Sequence, residues 1–262
     1  MRHAYISPHV DLRESFRLAT AWAGNDVTVI GASTRDIEAS PWLAESGLPI
    51  GTTSNRHSRF TARARTGKVI AWCLNLDEIL DLERNSRLGG LVVVQGHASH
   101  APWITAHDAK LLGGEPVPQV TEASPAIKAM VTGISQLAVL NQGLIDPRER
   151  STAVQALSYM RSHGHQLIPQ QLTVEAIRQE WPGTSPLDLA DLAKQLNAGK
   201  QLRYEKRLSS TVLAEWAAIQ PQVDNFSPGR VRAVDRHVPP RPPIDRTPGL
   251  PGLYRRSGAI RG

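Results

Sequence analysis

The chain has a single cysteine, Cys73, among 262 residues. One thiol cannot form an internal disulfide, and it cannot build a structural zinc site from pairs of cysteines. Sparse cysteine is typical of proteins in a reducing compartment, so the sequence predicts a cytoplasmic protein. Cys73 lies in the apolar run Val69–Leu74. We therefore expect a small buried side chain there, with a catalytic thiol as the alternative.

Long apolar runs are missing as well. The longest, such as Leu91–Val94, fall far short of the roughly 18 residues that a membrane span needs. The N-terminus has no apolar segment of the kind found in secretory signals, so we expect no export leader and no membrane partner. Hydrophobic residues make up 40% of the chain and charged residues 21%, which indicates a globular protein with a core.

The signatures of common nucleotide-binding and hydrolytic enzymes are absent too. The chain has no G-x-x-x-x-G-K-[ST], no G-x-G-x-x-G after a strand, no G-x-S-x-G and no H-E-x-x-H. No carboxylates lie at metal-ligand spacing near the paired histidines described below, so the sequence predicts no metal site. It leaves any cofactor unknown, and whether the protein is an enzyme stays open.

Acidic residues are scarce in two regions. Residues 200–262 hold 12 Lys/Arg and five Asp/Glu, whereas residues 1–199 hold 18 and 19, so the net charge of +6 lies almost entirely at the C-terminal end. No acid occurs between Glu45 and Asp77. This asymmetry indicates a polyanionic partner, either nucleic acid or an acidic protein surface. A solvated basic tail is the alternative.

Basic side chains in these two regions are the predicted nucleic-acid contacts. They are Arg56, Arg59, Arg63, Arg65 and Lys68 in the first region, and Lys200, Arg203, Lys206 and Arg207 in the second. The helix before the second group, up to Gly199, resembles the first helix of a helix-turn-helix. The residues after it alternate like a strand, however, so a recognition helix is not expected.

Residues 1–121 predict a small three-layer α/β domain of Rossmann-like type. Three β-branched runs are typical of buried strands: Val27–Ile30, Lys68–Leu74 and Gly90–Gln95. Stretches with helical periodicity precede, separate and follow these runs, over residues 12–22, 34–46, 76–85 and 102–112. This alternation favours a mostly parallel sheet with helices on both faces.

Residues 122–219 predict an all-α helical domain. Asp146, followed at once by Pro147 and three residues on by Glu149, is a strong helix start. Helices are predicted over residues 124–141, 147–164, 170–181, 186–198 (capped by Ser185) and 210–219, with one short strand over 202–208. Residues 220–262 carry eight prolines and no apolar periodicity. They predict a disordered Pro/Arg-rich tail that could dock on a protein partner.

Polar residues follow each of the three predicted strands, where parallel sheets bind their ligands. His97 and His100 follow the third strand, and we interpret them as acid/base catalysts if the protein is an enzyme. The predicted ligand-binding residues are Ser33, Arg35, Asn75 and Ser99. Ordinary helix capping by the same hydroxyl, amide and imidazole groups is the alternative.

Three functions from different classes remain open at this point. Charge favours an accessory protein that binds nucleic acid or another polyanion. The second is an interaction or scaffold component of a larger assembly. The third is an enzyme that acts on a small anionic ligand at the carboxyl ends of the strands.

Overall fold

The computed structural model describes residues 1–24, 26–53, 67–84, 88–137 and 143–219. Its six strands are β1 (Arg2–Ile6), β2 (Val27–Gly31), β3 (Ile50–Thr52), β4 (Lys68–Trp72), β5 (Gly90–Val94) and β6 (Lys110–Gly113). They form one sheet in the order β3-β2-β4-β5-β1-β6, and all neighbours are parallel. The predicted parallel α/β part followed by helices is thus confirmed.

The helices of the N-terminal part are α1 (Leu12–Ala23), α2 (Thr34–Glu38), α3 (Pro41–Glu45), α4 (Leu76–Arg84) and α5 (Ala101–His107). The later helices are α6 (Pro125–Leu137), α7 (Pro147–Ser162), α8 (Pro169–Arg178), α9 (Ser185–Asn197) and α10 (Ser210–Ala218). The carboxylates of Asp11 and Asp146 accept backbone N–H groups in the first turns of α1 and α7. The capping predicted for Asp146 is therefore confirmed.

The sheet is covered on both faces. α1 and α3 pack on one face, through residues such as Ala19 and Leu43, and we call this the first face. α4 and α5 pack on the other, second face, through Ile79 and Trp103. Ile177 of α8 belongs to the same apolar cluster, so α8 lies over α5 as a further layer.

The strands β1, β3 and β6 were not predicted from the sequence. β1 opens with Arg2 and His3, which do not resemble a buried run. Residues 110–112 were predicted to end a helix that begins at 102, with Gly113 just past it. Asp108 adopts a left-handed conformation with φ of 47° and stops α5, and the next residues pair with β1 instead.

Two further predictions about local structure are wrong. Residues 34–46 form two short helices, because Pro41 lacks an N–H and starts α3 rather than continuing α2. Ser185 is not the cap of α9, which has Thr184 in that position. Ser185 Oγ instead accepts the backbone N–H of Leu144 at 3.3 Å.

The helices α6 to α10 enclose an apolar core of their own. α8 packs on α9 and also on α5 of the sheet part, and residues Met1–Gln222 form one compact unit. The sequence-based division near residue 121 stays a prediction. The predicted disordered tail lies outside the described residues. Within the described part, no helix combines the length and apolarity needed to cross a bilayer.

Candidate functional site

The carboxyl ends of the strands lie at one edge of the sheet, which we call the carboxyl edge. Gly31 of β2 is level with Trp72 of β4, and Trp72 is level with Val94 of β5. The chain leaves β2 and β1 toward the first face, and it leaves β4 and β5 toward the second face. Neighbouring strands therefore diverge between β2 and β4 and again between β5 and β1. Such divergence points are where open α/β sheets bind ligands.

Two residues at this edge have strained backbones. Cys73 directly follows β4 with φ of 53°, and Gln95 directly follows β5 with φ of 58°. The two side chains meet, with Cys73 Sγ 3.6 Å from Gln95 Oε1. Burial, and secondarily the charge of Asp36, raises the pKa of the Cys73 thiol to about 11. Cys73 is therefore a protonated donor at neutral pH.

The predicted ligand-binding residues all lie along the carboxyl edge. Ser33 caps α2, with its hydroxyl 2.6 Å from an Asp36 carboxylate oxygen. Asn75 precedes α4 and donates its backbone N–H to Glu78 at 2.9 Å. Arg35 and Ser99 are exposed. The structure thus brings these residues to one edge, while the observed bonds of Ser33 and Asn75 are those of helix caps.

The two predicted catalytic histidines have different surroundings. His100 is 2% exposed; its Nδ1 accepts the backbone N–H of His97 at 2.9 Å, and its Nε2–H donates to the Leu74 carbonyl at 2.9 Å. Burial is the main reason that the pKa of His100 is lowered. His97 is exposed, and its ring centroid lies 6.0 Å from that of His100. Of the pair, only His97 presents its ring to solvent at the carboxyl edge.

The first group of predicted nucleic-acid contacts falls mostly outside the described residues, which include neither Arg56, Arg59, Arg63 nor Arg65. Lys68 is described, and it opens β4 at the opposite edge of the sheet. Its ammonium donates to the Ala23 carbonyl at 2.7 Å and lies 5.9 Å from the centroid of the Trp22 ring. Lys68 therefore has a structural contact that the sequence did not indicate.

The second group lies in a stretch without regular secondary structure, residues 200–207, which we call the basic segment. The strand predicted over residues 202–208 does not form. The backbone at the end of this stretch hydrogen-bonds to the side chain of Gln155, and not to a neighbouring strand. Gln155 of α7, 6% exposed, accepts the N–H groups of Arg207 and Leu208 at 2.7 and 2.9 Å. It also donates to the Leu208 carbonyl at 2.9 Å.

A groove of about 600 Å³ adjoins the end of the basic segment. Arg148 and Arg207 line it, together with Asp146 and Glu149 from the first turn of α7. One carboxylate oxygen of Glu149 is buried without a hydrogen-bond partner among the described residues. Burial, followed by the nearby charge of Asp146, raises the pKa of Glu149. The groove therefore carries both signs of charge.

A separate group of side chains lies on the second face, near the amino ends of the strands. It contains His3 of β1, Glu83 in the last turn of α4 and His107 at the end of α5, and we call it the His–Glu cluster. His3 Nε2 lies 3.2 Å and His107 Nε2 lies 3.6 Å from the two Glu83 carboxylate oxygens. The two imidazole rings stack with their centroids 3.7 Å apart, and Trp103 packs edge-on against both.

The protonation states of the His–Glu cluster follow from its surroundings. Burial is the largest influence on Glu83 and raises its pKa, but the neighbouring His107 and His3 rings outweigh burial and bring that pKa to about 2. Burial lowers the pKa of His3. The sequence predicted no metal site, since 80 residues separate His3 from Glu83. The one feature of the sequence that pointed to this cluster was the placement of His107 on the same helical face as Trp103.

Comparison with known proteins bears on the helical part of the chain. A family model described as a domain of unknown function (DUF1889) matches residues 123–217. That range spans α6 to α10 without the last residue of α10, and it includes none of the strands. No curated protein and no solved structure matches the chain. The description of the matching family names no activity.

Proposed function

We propose that the protein binds nucleic acid through the basic segment. The supporting observation is the clamp that Gln155 forms on the backbone at Arg207 and Leu208. This clamp holds the end of a positively charged stretch against α7. A segment already held in one conformation loses less conformational entropy on binding than a mobile one.

The side chains of the basic segment face solvent. Lys200, Arg203, Lys206 and Arg207 are exposed, whereas Leu202 and Leu208 pack against the core of the helical part. Arg207 forms an exposed ion pair with Glu205 at 2.7 Å. Three of the four cations therefore have no ion pair within the described residues. Exposed cations without an ion pair are free to neutralise the phosphates of a nucleic acid.

An aromatic ring is available beside these cations. Tyr204 is 41% exposed and lies between Arg203 and Glu205 in the sequence. Aromatic rings next to a basic track can stack on unpaired bases, and each such contact contributes about 1–3 kcal/mol. The combination favours single-stranded nucleic acid over duplex, because only unpaired bases expose a face for stacking.

The test compares the wild-type chain with the triple variant Lys200→Ala, Arg203→Ala, Lys206→Ala. Fluorescence anisotropy with labelled single-stranded and duplex oligonucleotides at low salt measures the affinity. We expect the triple variant to bind about 10- to 100-fold more weakly, because three phosphate contacts are lost. Tyr204→Ala should weaken binding to the single strand more than binding to the duplex.

A control variant with the same loss of charge distinguishes an effect of the basic segment from an effect of net charge alone. Arg13, Lys110 and Arg161 are exposed and lie outside the basic segment, so replacing all three with Ala also removes three positive charges. We expect this control to bind within about threefold of wild type. Equal losses in both triple variants, or no binding by the wild type, would contradict the proposal.

A second candidate function is the binding of a small anion at the carboxyl edge. The left-handed backbones of Cys73 and Gln95 favour it, since a non-glycine residue in that region costs about 1–3 kcal/mol and such residues cluster at functional sites. In this function, His97 and Arg35 would supply the nearby cations or protons.

Inorganic phosphate is the probe for this second candidate. A titration followed by two-dimensional NMR of backbone amides should shift resonances of Ser33, Cys73 and Gln95 to His97 together. The double variant Arg35→Ala, His97→Ala should remove those shifts while the fold stays intact. Shifts that are absent, or that spread evenly over exposed lysines and arginines, would exclude an anion site at this edge.

A further inference from the structure

We propose that the His–Glu cluster binds one Zn²⁺ ion through His3, Glu83 and His107, with a fourth coordination position left for water. Two imidazoles and one carboxylate are a ligand set that zinc sites with an open position use. The three ligand atoms all lie within 4.8 Å of one another. Nothing in this proposal depends on nucleic-acid binding by the basic segment.

The distances are close to those around a tetrahedral ion. With zinc–ligand bonds of about 2.0–2.1 Å, neighbouring ligand atoms of a tetrahedral site lie about 3.3–3.4 Å apart. His3 Nε2 lies 3.2 Å from one Glu83 oxygen, and His107 Nε2 lies 3.6 Å from the other. One oxygen and the two nitrogens lie within 4.8 Å of one another, so side-chain rotations that move these atoms by up to about 1.5 Å would complete the coordination.

A buried nitrogen without a partner also indicates a missing ligand. His107 Nε2 is buried and has no hydrogen bond among the described residues, with the Glu83 Oε2 atom 3.6 Å away. A buried polar group without a hydrogen bond is destabilising, and a metal ion would satisfy it. The indole Nε1–H of Trp103 is likewise buried without a hydrogen bond of ordinary length among these residues, although Trp103 is near enough to help lower the pKa of Glu83. It cannot bind a metal, but it can donate a hydrogen bond to a water molecule on the ion.

Regular secondary structure holds the three ligands, which reduces the cost of ordering them on binding. His3 lies on β1 between β5 and β6, and α4 and α5 carry the other two ligands near their ends. The side chains of His3, Glu83 and His107 are 9%, 15% and 21% exposed. The cluster is thus partly open to solvent, so an ion can enter and can keep a bound water.

The donor set favours zinc over the hard cations. Mg²⁺ and Ca²⁺ prefer oxygen ligands, whereas imidazole nitrogen suits zinc and its neighbours in the first transition series. Co²⁺ can therefore replace zinc as a coloured, paramagnetic probe of the same site. Binding of Mg²⁺ with no affinity for Zn²⁺ would overturn the proposal.

The experiment uses the full chain, purified without a polyhistidine tag and treated with a chelator. Isothermal titration with ZnCl₂ should show one site per chain, and Co²⁺ should give the visible absorption of a tetrahedral complex. Glu83→Gln keeps the size of the side chain and should weaken zinc binding by more than about 100-fold, since even an outer partner of a metal ligand is worth about 10- to 100-fold. His107→Ala should do the same.

Two exposed histidines outside the cluster provide the matched control. His9→Ala and His163→Ala should bind zinc with unchanged affinity and stoichiometry. If the variants of the cluster fail to fold, the quenching of tryptophan fluorescence by Co²⁺ tests the site instead. Co²⁺ should quench part of the fluorescence of the wild type, and Trp103→Phe should remove that quenched component. No binding by the wild type, equal binding by wild type and Glu83→Gln, or quenching that survives Trp103→Phe would each overturn the site.

Discussion

At the scale of single residues, His100 shows how an imidazole can complete a strand-to-helix turn. Both ring nitrogens are bound to backbone groups: one accepts from His97 and the other donates to Leu74. This arrangement requires the neutral ring with its proton on Nε2. Protonation of Nδ1 would remove the acceptor and place a charge in a buried position, which is why burial lowers the pKa of His100.

We expect His100→Ala to lower the free energy of unfolding by about 2–3 kcal/mol near pH 7.5, because the buried Leu74 carbonyl and the partly buried His97 N–H lose their partner and a small cavity forms. His97→Ala, an exposed position, should change it by less than about 0.5 kcal/mol. Thermal and urea unfolding of the two variants measure the difference. Equal effects would show that the bonds to His100 do not stabilise the turn.

The contribution of His100 should also depend on pH. Its folded pKa lies below the ordinary value of 6.5, so its stabilising effect is present above pH 6.5 and is lost as the pH falls below that value. The gap in stability between wild type and His100→Ala should therefore narrow toward pH 5. His3, whose pKa is also lowered, is present in both proteins, so its contribution to the pH dependence cancels in the comparison. A gap that stays constant or widens would contradict the neutral, buried ring.

The Cys73 thiol permits a second prediction at this scale. Because its pKa is raised to about 11, the reactive thiolate is rare at neutral pH. Alkylation by iodoacetamide at pH 8 should therefore be at least about tenfold slower than that of an unfolded control in urea, and its rate should climb steadily up to pH 10. Rapid labelling of the folded chain at pH 8 would show an activated thiol and would favour a catalytic role.

At the scale of elements, the basic segment depends on a tertiary contact. Gln155 binds three backbone groups near the end of the segment, and the side chain stands on α7, more than 50 residues earlier in the chain. The segment has no regular secondary structure. The amide of Gln155 therefore supplies the backbone hydrogen bonds that a neighbouring strand would supply in a β-ladder.

Gln155→Leu, which keeps the volume of the side chain, should release the segment. We expect a loss of about 1–3 kcal/mol in unfolding free energy, faster tryptic cleavage after Arg203 and Lys206, and weaker binding to oligonucleotides. Gln195→Leu is the matched control, since the side chain of Gln195 donates to Asp191 on its own helix and the change leaves the Gln195 backbone carbonyl in place. Unchanged cleavage in Gln155→Leu would mean that the segment is held by other contacts.

The limits of sequence reasoning appear at the same scale. The strands β2, β4 and β5 could be predicted because they are continuous apolar runs buried on both faces of the sheet. β1 could not be predicted in this way, because it begins with Arg2 and His3 and leaves an apolar run of only three residues, Ala4 to Ile6. Since β1 pairs with β5 and β6 only through the tertiary fold, the meeting of His3, Glu83 and His107 could not be predicted either.

At the scale of the whole molecule, the sheet part and the helical part share apolar surface. Ile177 of α8 is 5% exposed and belongs to the cluster on the second face of the sheet. α8 also packs on α9. Loss of the helical part would therefore uncover apolar surface over α5, so the two predicted domains are expected to unfold together.

Ile177→Ala should lower the stability of the full chain by about 2–4 kcal/mol in a single transition, measured by circular dichroism and by tryptophan fluorescence. Ile145→Ala is the matched control, because Ile145 is 73% exposed, and it should have little effect. Two separate transitions, with only one of them shifted by Ile177→Ala, would instead indicate two independent domains divided near residue 121.

The central claim is that phosphate contacts by the basic segment give the protein its affinity for nucleic acid. The salt dependence of binding to a single-stranded oligonucleotide tests it most directly, because each neutralised phosphate contributes about −0.7 to the slope of log K against log salt. For the four cations of the segment, we predict a slope of about −3 for the wild type. The Lys200, Arg203 and Lys206 triple variant should flatten that slope by about 2, whereas the Arg13, Lys110 and Arg161 control should leave it unchanged. A wild-type slope near zero, or the same slope in both triple variants, would contradict the claim.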